Sequence, residues 1–161
     1  MTKDVMRSVM TKEDAQLFVL NGDLISGEAT RQLDSSRYLH EVVSPLVDAD
    51  RVWASTYGNH DSDANLNPMK DIFEQEGRYS NSLTRNMVST PNAGITNYYL
   101  LVYPPEASAS APALILWFFD SRGGHYPIDQ ATHSGGATRP DWVDESVWPF
   151  LFLFSSFLSP S

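Results

Sequence analysis

Apolar residues recur along this chain in two rhythms. Leu17-Phe18-Val19-Leu20 is an unbroken apolar run, the pattern of a strand buried on both faces. From Thr30 to Val47 the spacing lengthens: Leu33, Tyr38, Leu39, Val42, Val43 and Leu46 share one broad helical face, with Pro45 placed to weaken or end the helix. Arg51 to Tyr57 reads as the next strand. Asn67-Pro68 opens another helix, with asparagine as cap and proline at the first helical position, and Gly77 stops it. Upstream, residues 4–14 read as a short helix end, with Thr11 and Asp14 in capping-box spacing.

The first half thus alternates helix and strand, which predicts parallel strands joined by right-handed crossovers. The second half changes character. Thr96–Tyr103 and Ala113–Phe119 are longer strand-like runs separated by a Pro/Ala/Ser linker, the pattern of an antiparallel pair. Residues 123–140 read as a polar, glycine-rich loop, and Asp141–Val147 opens a helix that an apolar tail, 148–161, cuts short. Tyr98, Tyr99, Trp117, Phe118 and Phe119 are expected to pack as strand core rather than as a binding face. The expected domain occupies residues 1–147, with the tail divergent from it.

Composition narrows the function. At 161 residues with 42% hydrophobic content, the chain suffices for one domain with its own core. A net charge of −9 without any basic cluster argues against nucleic acid as a partner. The chain has no cysteine, which removes disulfides, thiolate zinc sites and cysteine nucleophiles. The Val147–Leu158 run is too short and too interrupted for a membrane span. No signal peptide is visible at Met1–Met6, so the cytoplasm is the simplest expectation for a compartment the sequence leaves unassigned.

The chemistry concentrates where two strands end. Asn21-Gly22-Asp23 follows the first strand and Gly58-Asn59-His60-Asp61 follows the second. A carboxylate, a carboxamide and an imidazole at the carboxyl ends of neighbouring strands outline a hard-metal site. An aspartate can bridge two cations, and an asparagine oxygen can hold one without adding charge. A histidine beside them can face phosphoryl oxygens, oriented by an acidic neighbour. Asp23, Asn59, His60 and Asp61 suit these four roles in order. Two competing motifs fail. Asp61–Asn67 starts like an EF-hand but has Leu66 in the glycine position, and Gly22–Gly27 lacks the lysine of a P-loop. His40 reads as a surface or packing residue, and His125 and His133 as loop residues without a role.

With those motifs in place, the chain resembles the calcineurin-like metallophosphoesterase superfamily, and within it the purple-acid-phosphatase-related phosphatases of fungi and plants. The likeness rests on Phe18–Glu28, Gly58–Asp61, Ala93–Tyr99, Trp117–Gly124 and Asp141–Val143. It implies an α/β fold, a metallophosphoesterase β-sandwich with flanking helices, and two divalent ions (Fe, Mn or Zn) acting on a phosphate ester. It also implies that Asp23 bridges the metals, Asn59 binds the second, His60 faces the phosphate and Asp61 orients it.

Departures are equally informative. The family's Asp-x-His has no counterpart here, since no histidine precedes His40, and Gly124-His125-Tyr126-Pro127 is a poor match to Gly-His-x-His. The expectation is a partial domain lacking the first strand and the C-terminal third, weakly active or inactive, with metal binding in doubt. Self-association through an exposed sheet edge is expected of it. The alternative is a truncated, non-catalytic product or an interaction protein without metal.

Overall fold

The computed structural model describes residues 2–26, 30, 34–63, 69–106, 111–126 and 136–152. The elements run α1 (Thr2–Lys12), β1 (Phe18–Asn21), α2 (Ser35–Asp48), β2 (Trp53–Thr56), α3 (Met69–Glu76), β3 (Tyr98–Val102) and β4 (Leu114–Phe118), with 3-10 turns at His60–Ser62 and Glu145–Val147. β1 and β2 pair in parallel, with Phe18 opposite Trp53 and Asn21 opposite Thr56. β3 and β4 pair antiparallel, with Tyr98 opposite Phe118. This is the α/β order that the hydrophobic pattern predicts.

Strand alternation sorts the side chains into two layers. Phe18, Leu20, Trp53 and Tyr57 face the helices, where Leu39, Val43 and Leu46 of α2 and Ile72 of α3 bury against them. Ala54 points the other way, into Tyr98 and Phe118 of the β3–β4 hairpin. The Tyr98 and Phe118 rings stack at 4.4 Å, and the Tyr98 hydroxyl donates to the Ser55 carbonyl at 2.8 Å. The hairpin's outer face carries Tyr99 and Trp117, covered by Phe150 from a helical stretch at 148–152.

Beneath β2 lies a carboxylate that the sequence pattern does not mark. Glu76, at the end of α3, is fully buried. Its Oε1 accepts from Trp53 Nε1, Ser55 Oγ, Ser82 Oγ and Thr84 Oγ1, and its Oε2 accepts from the Tyr57 hydroxyl. Five donors replace the water a buried charge loses. Burial and the neighbouring Glu76 charge push the Tyr57 phenol well above its ordinary range, so it stays a donor.

Several expectations need correction. Thr11 caps nothing: it sits in the last turn of α1, its hydroxyl bonded back to the Arg7 carbonyl. Pro45 does sit in the last turn of α2, as its pattern implies, and the helix ends at Asp48. Proline removes the donor that would serve the Glu41 carbonyl, and the Ser44 hydroxyl takes that carbonyl instead, at 3.2 Å. β1 is not buried on both faces, because Val19 lies on the hairpin side and remains 51% exposed. Between the described ends of the 123–140 loop an isolated antiparallel bridge joins His125 to Thr138. Residues 141–144 are not helical; helical character begins at Glu145, where the Asp144 side chain caps the turn, and persists to residue 152. The Asn67-Pro68 start and the middle of the 104–112 linker lie outside the described residues.

Candidate functional site

Parallel pairing in register brings the two strand ends together, so Gly22 and Gly58 meet. A Cβ on Gly22 would stand 3.0 Å from the Gly58 nitrogen, and a Cβ on Gly58 would land inside the Asp23 carboxylate. Gly22 and Asp23 both adopt left-handed backbone, at φ 78° and 52°. Aspartate tolerates this region better than most side chains, and it turns Asp23 back toward the second loop. There Asp23 Oδ1 accepts the backbone N–H of His60 at 3.1 Å.

Asp61 completes the junction from below. It is fully buried. One carboxylate oxygen accepts from Ile25 N at 2.9 Å and the other from Gly58 N at 2.8 Å, with a further backbone bond to Leu24. Burial pushes the Asp61 carboxyl up to about 6, against the pull of these backbone donors. Asp61 is therefore a strut between the loops. The carboxylate at the imidazole belongs to Asp63, whose Oδ2 lies 3.3 Å from His60 Nδ1. Sequence order favours Asp61 as the ring's partner; the 3-10 turn at 60–62 points it inward and brings Asp63 round instead.

The structure joins the loops but divides their openings. Asp23 borders a cavity of about 610 Å³ shared with Lys3 and Arg7 of α1 and Tyr38 of α2. Lys3 is engaged there by an ion pair with Glu41, which holds the Glu41 carboxyl below its usual range. Asn59, exposed, borders a different cleft, formed with the loop after β4. That loop is seated on the 3-10 turn: Ser62 Oγ donates to the carbonyls of Gly123 and Asn59, and His125 N to that of Ser62. Gly124 carries no side chain because a Cβ would strike the Asn59 carbonyl and Ser62 Oγ.

Asp120 and Arg122 hold this loop, and sequence reasoning gave neither a role. Buried Asp120 accepts from Ile95 N at 2.6 Å and Arg122 N at 2.7 Å. Arg122, at φ 65°, begins three consecutive left-handed residues ending at Gly124. Such a conformation is costly for a branched-out side chain, and anchoring offsets the cost. The guanidinium bonds the carbonyls of Trp142 and Asn92 and pairs with Asp144 at 3.0 Å. The Gly-Gly pair after Asp120-Ser121-Arg122 was the available sequence signal.

Asp23 and Asn59 suit a hard divalent cation in kind, as oxygen donors. They fall short in number. Among the described residues no group of three or more His, Cys, Asp or Glu side chains stands placed to hold a metal ion. The described donors do not fit a tightly held two-ion centre, for which at least three protein ligands are the norm. Among the described residues no helix is long and apolar enough to cross a membrane.

Residues 2–154 match the family described as calcineurin-like phosphoesterase. A relative named Phosphatase DCR2, from Saccharomyces cerevisiae (strain ATCC 204508 / S288c), is 26% identical over 152 residues, covering 93% of this chain and 25% of its own length. The chain therefore spans about a quarter of that relative. No solved structure matches.

Proposed function

The chain belongs to the calcineurin-like phosphoesterase family, and from that premise we propose that it is a phosphoric ester hydrolase whose activity, as this chain alone, is weak. The observation that carries the reading is the Asp23–His60 hydrogen bond, which gathers carboxylate, carboxamide and imidazole loops at one sheet end. In this reading Asp23 and Asn59 bind divalent ions (Fe, Mn or Zn) loosely. Such ions, when bound, neutralise the phosphate and activate water. His60 presents its ring to a phosphoryl oxygen, and Asp63 sets the ring's orientation. Asp61 acts indirectly by holding both loops in place.

The decisive experiment is p-nitrophenyl phosphate hydrolysis by the purified chain across a Mn²⁺ titration. Turnover is expected only at millimolar metal, and is expected to disappear in Asp23→Asn and His60→Ala. Two ions retained through purification would overturn the loose-binding part. No turnover at saturating metal would overturn the catalytic part.

A second reading is favoured by one observation, the lack of a three-ligand group among the described residues. It makes the chain a non-catalytic protein that binds a partner through the edge of β1 that is unpaired among the described residues, beside the exposed Val19. A monomer in sedimentation that also turns over substrate with metal counts against it.

A further inference from the structure

The cleft beside Asn59 has a volume of about 450 Å³ and walls fixed by backbone bonds. Gly123 N donates to the Pro140 carbonyl and Arg139 N to that of Gly124, and His125 bridges Thr138. Asn59, Ser121, His125, Thr138 and Arg139 line it, with Asp141 as the one carboxylate. Among the described residues the side chains of Asn59, Ser121, His125 and Thr138 make no hydrogen bond. The Arg139 guanidinium has no carboxylate partner there and lies over the Tyr126 ring at 5.8 Å.

A guanidinium, a carboxamide, two hydroxyls and an imidazole offer many donors against one carboxylate. In a chain of net charge −9 this is a local exception. Donors spread over several directions suit a tetrahedral oxyanion, and arginine is the side chain best shaped to grip one. Asp141 is the like charge the ligand must pass, which keeps affinity modest. Arg122 takes no part, because its guanidinium is consumed by Asp144 and backbone carbonyls.

We propose that this cleft binds a phosphate group of the substrate other than the one hydrolysed, so that preferred substrates carry two phosphoryl groups. The inference rests on the phosphoesterase reading, since Asn59 borders both this cleft and the loop that carries His60. Arg139 is the anchor. Ser121, Thr138 and His125 complete the cradle, and together these residues determine specificity.

The test uses the full chain, metal-free, titrated with inorganic phosphate while NMR follows the ring signals of its four histidines. A saturable shift of His125 with a low-millimolar midpoint is expected. Arg139→Gln should weaken it roughly tenfold, the loss expected of one charge-assisted hydrogen bond. Ser121→Ala should weaken it less, and Lys70→Gln, on the outer face of α3, not at all. An unmoved His125, a shift confined to His60, or equal effects of Arg139→Gln and Lys70→Gln would each overturn the proposal. With Mn²⁺ present, Arg139→Gln should raise KM for a bisphosphorylated sugar far more than KM for p-nitrophenyl phosphate. Equal rises for both would place the reacting phosphate in the cleft and also overturn it. Mn²⁺ broadening of the His60 signal, recorded separately, reports on the metal loops whatever phosphate does.

Discussion

Asp23 Oδ1 accepts the backbone N–H of His60 at 3.1 Å, so a side chain from the first strand end fixes the backbone of the second. The bond leaves space for no atom on Gly58, whose Cβ would enter the same carboxylate. Gly58→Ala should therefore displace Asp23 and destabilise the fold by about 1–3 kcal/mol, the usual cost of overpacking. Urea midpoints give the stability change, and weakened Mn²⁺ binding gives the displacement; an unchanged midpoint would refute the contact.

The five donors converging on Glu76 make a sharper comparison possible. Glu76→Ala strands all five in the interior and should cost about 3–5 kcal/mol. Glu76→Gln keeps an oxygen for the four donors at Oε1, and its NH₂ can face the Tyr57 hydroxyl turned to accept. It should cost about 1–2 kcal/mol. Equal losses in chemical denaturation would show that the network contributes little.

Acid should weaken the 144 anchor. Hydrogen bonds from Ser146 and the nearby Arg122 charge hold the Asp144 carboxyl below its usual range. A depressed carboxyl stabilises the fold at pH above its unfolded value, and the benefit is lost as pH falls through the depressed one. Melting temperature should thus drop on acidification below about pH 4, an ordinary carboxylate value. Asp144→Asn should melt lower than the parent at neutral pH and show a flatter acid limb; parallel curves would rule out the assignment.

Chelation distinguishes loose from resident ions. If Asp23 and Asn59 hold cations only at millimolar concentration, EDTA should move the melting temperature of the purified chain by less than about 2 °C, because a ligand stabilises only in proportion to its occupancy. A larger downward shift would mean that further ligands complete the site.

Much of this architecture is legible in the residue pattern because it is local. Runs such as Leu17–Leu20 and the 3.6-residue spacing of Leu39, Val43 and Leu46 announce strand and helix directly. Gly22 and Gly58 are legible too, since a ligand-bearing strand end needs a sharp turn. What the pattern hides depends on orientation. The choice of Asp63 over Asp61 at the His60 ring follows from the rotation of a three-residue 3-10 turn, which neighbouring sequence does not specify. Glu76 sits four residues after Ile72 on the apolar face of α3, where a charge breaks the pattern unless its five partners are already known. The Ser44 hydroxyl's bond to the Glu41 carbonyl, which Pro45 leaves without its backbone donor, is likewise not announced by the helical pattern.

Glu76 also constrains how β2 can be threaded. Its strand donors are Trp53, Ser55 and Tyr57, every second residue along one face. Sliding the strand by a single position would present Ala54 and Thr56, and the carboxylate would lose three of its five donors at once, keeping Ser82 and Thr84. The anion thus works as a keyed slot that admits one alignment of the chain. Since Asn59 and His60 lie directly beyond Tyr57, the same slot decides which residues arrive at the sheet's working end.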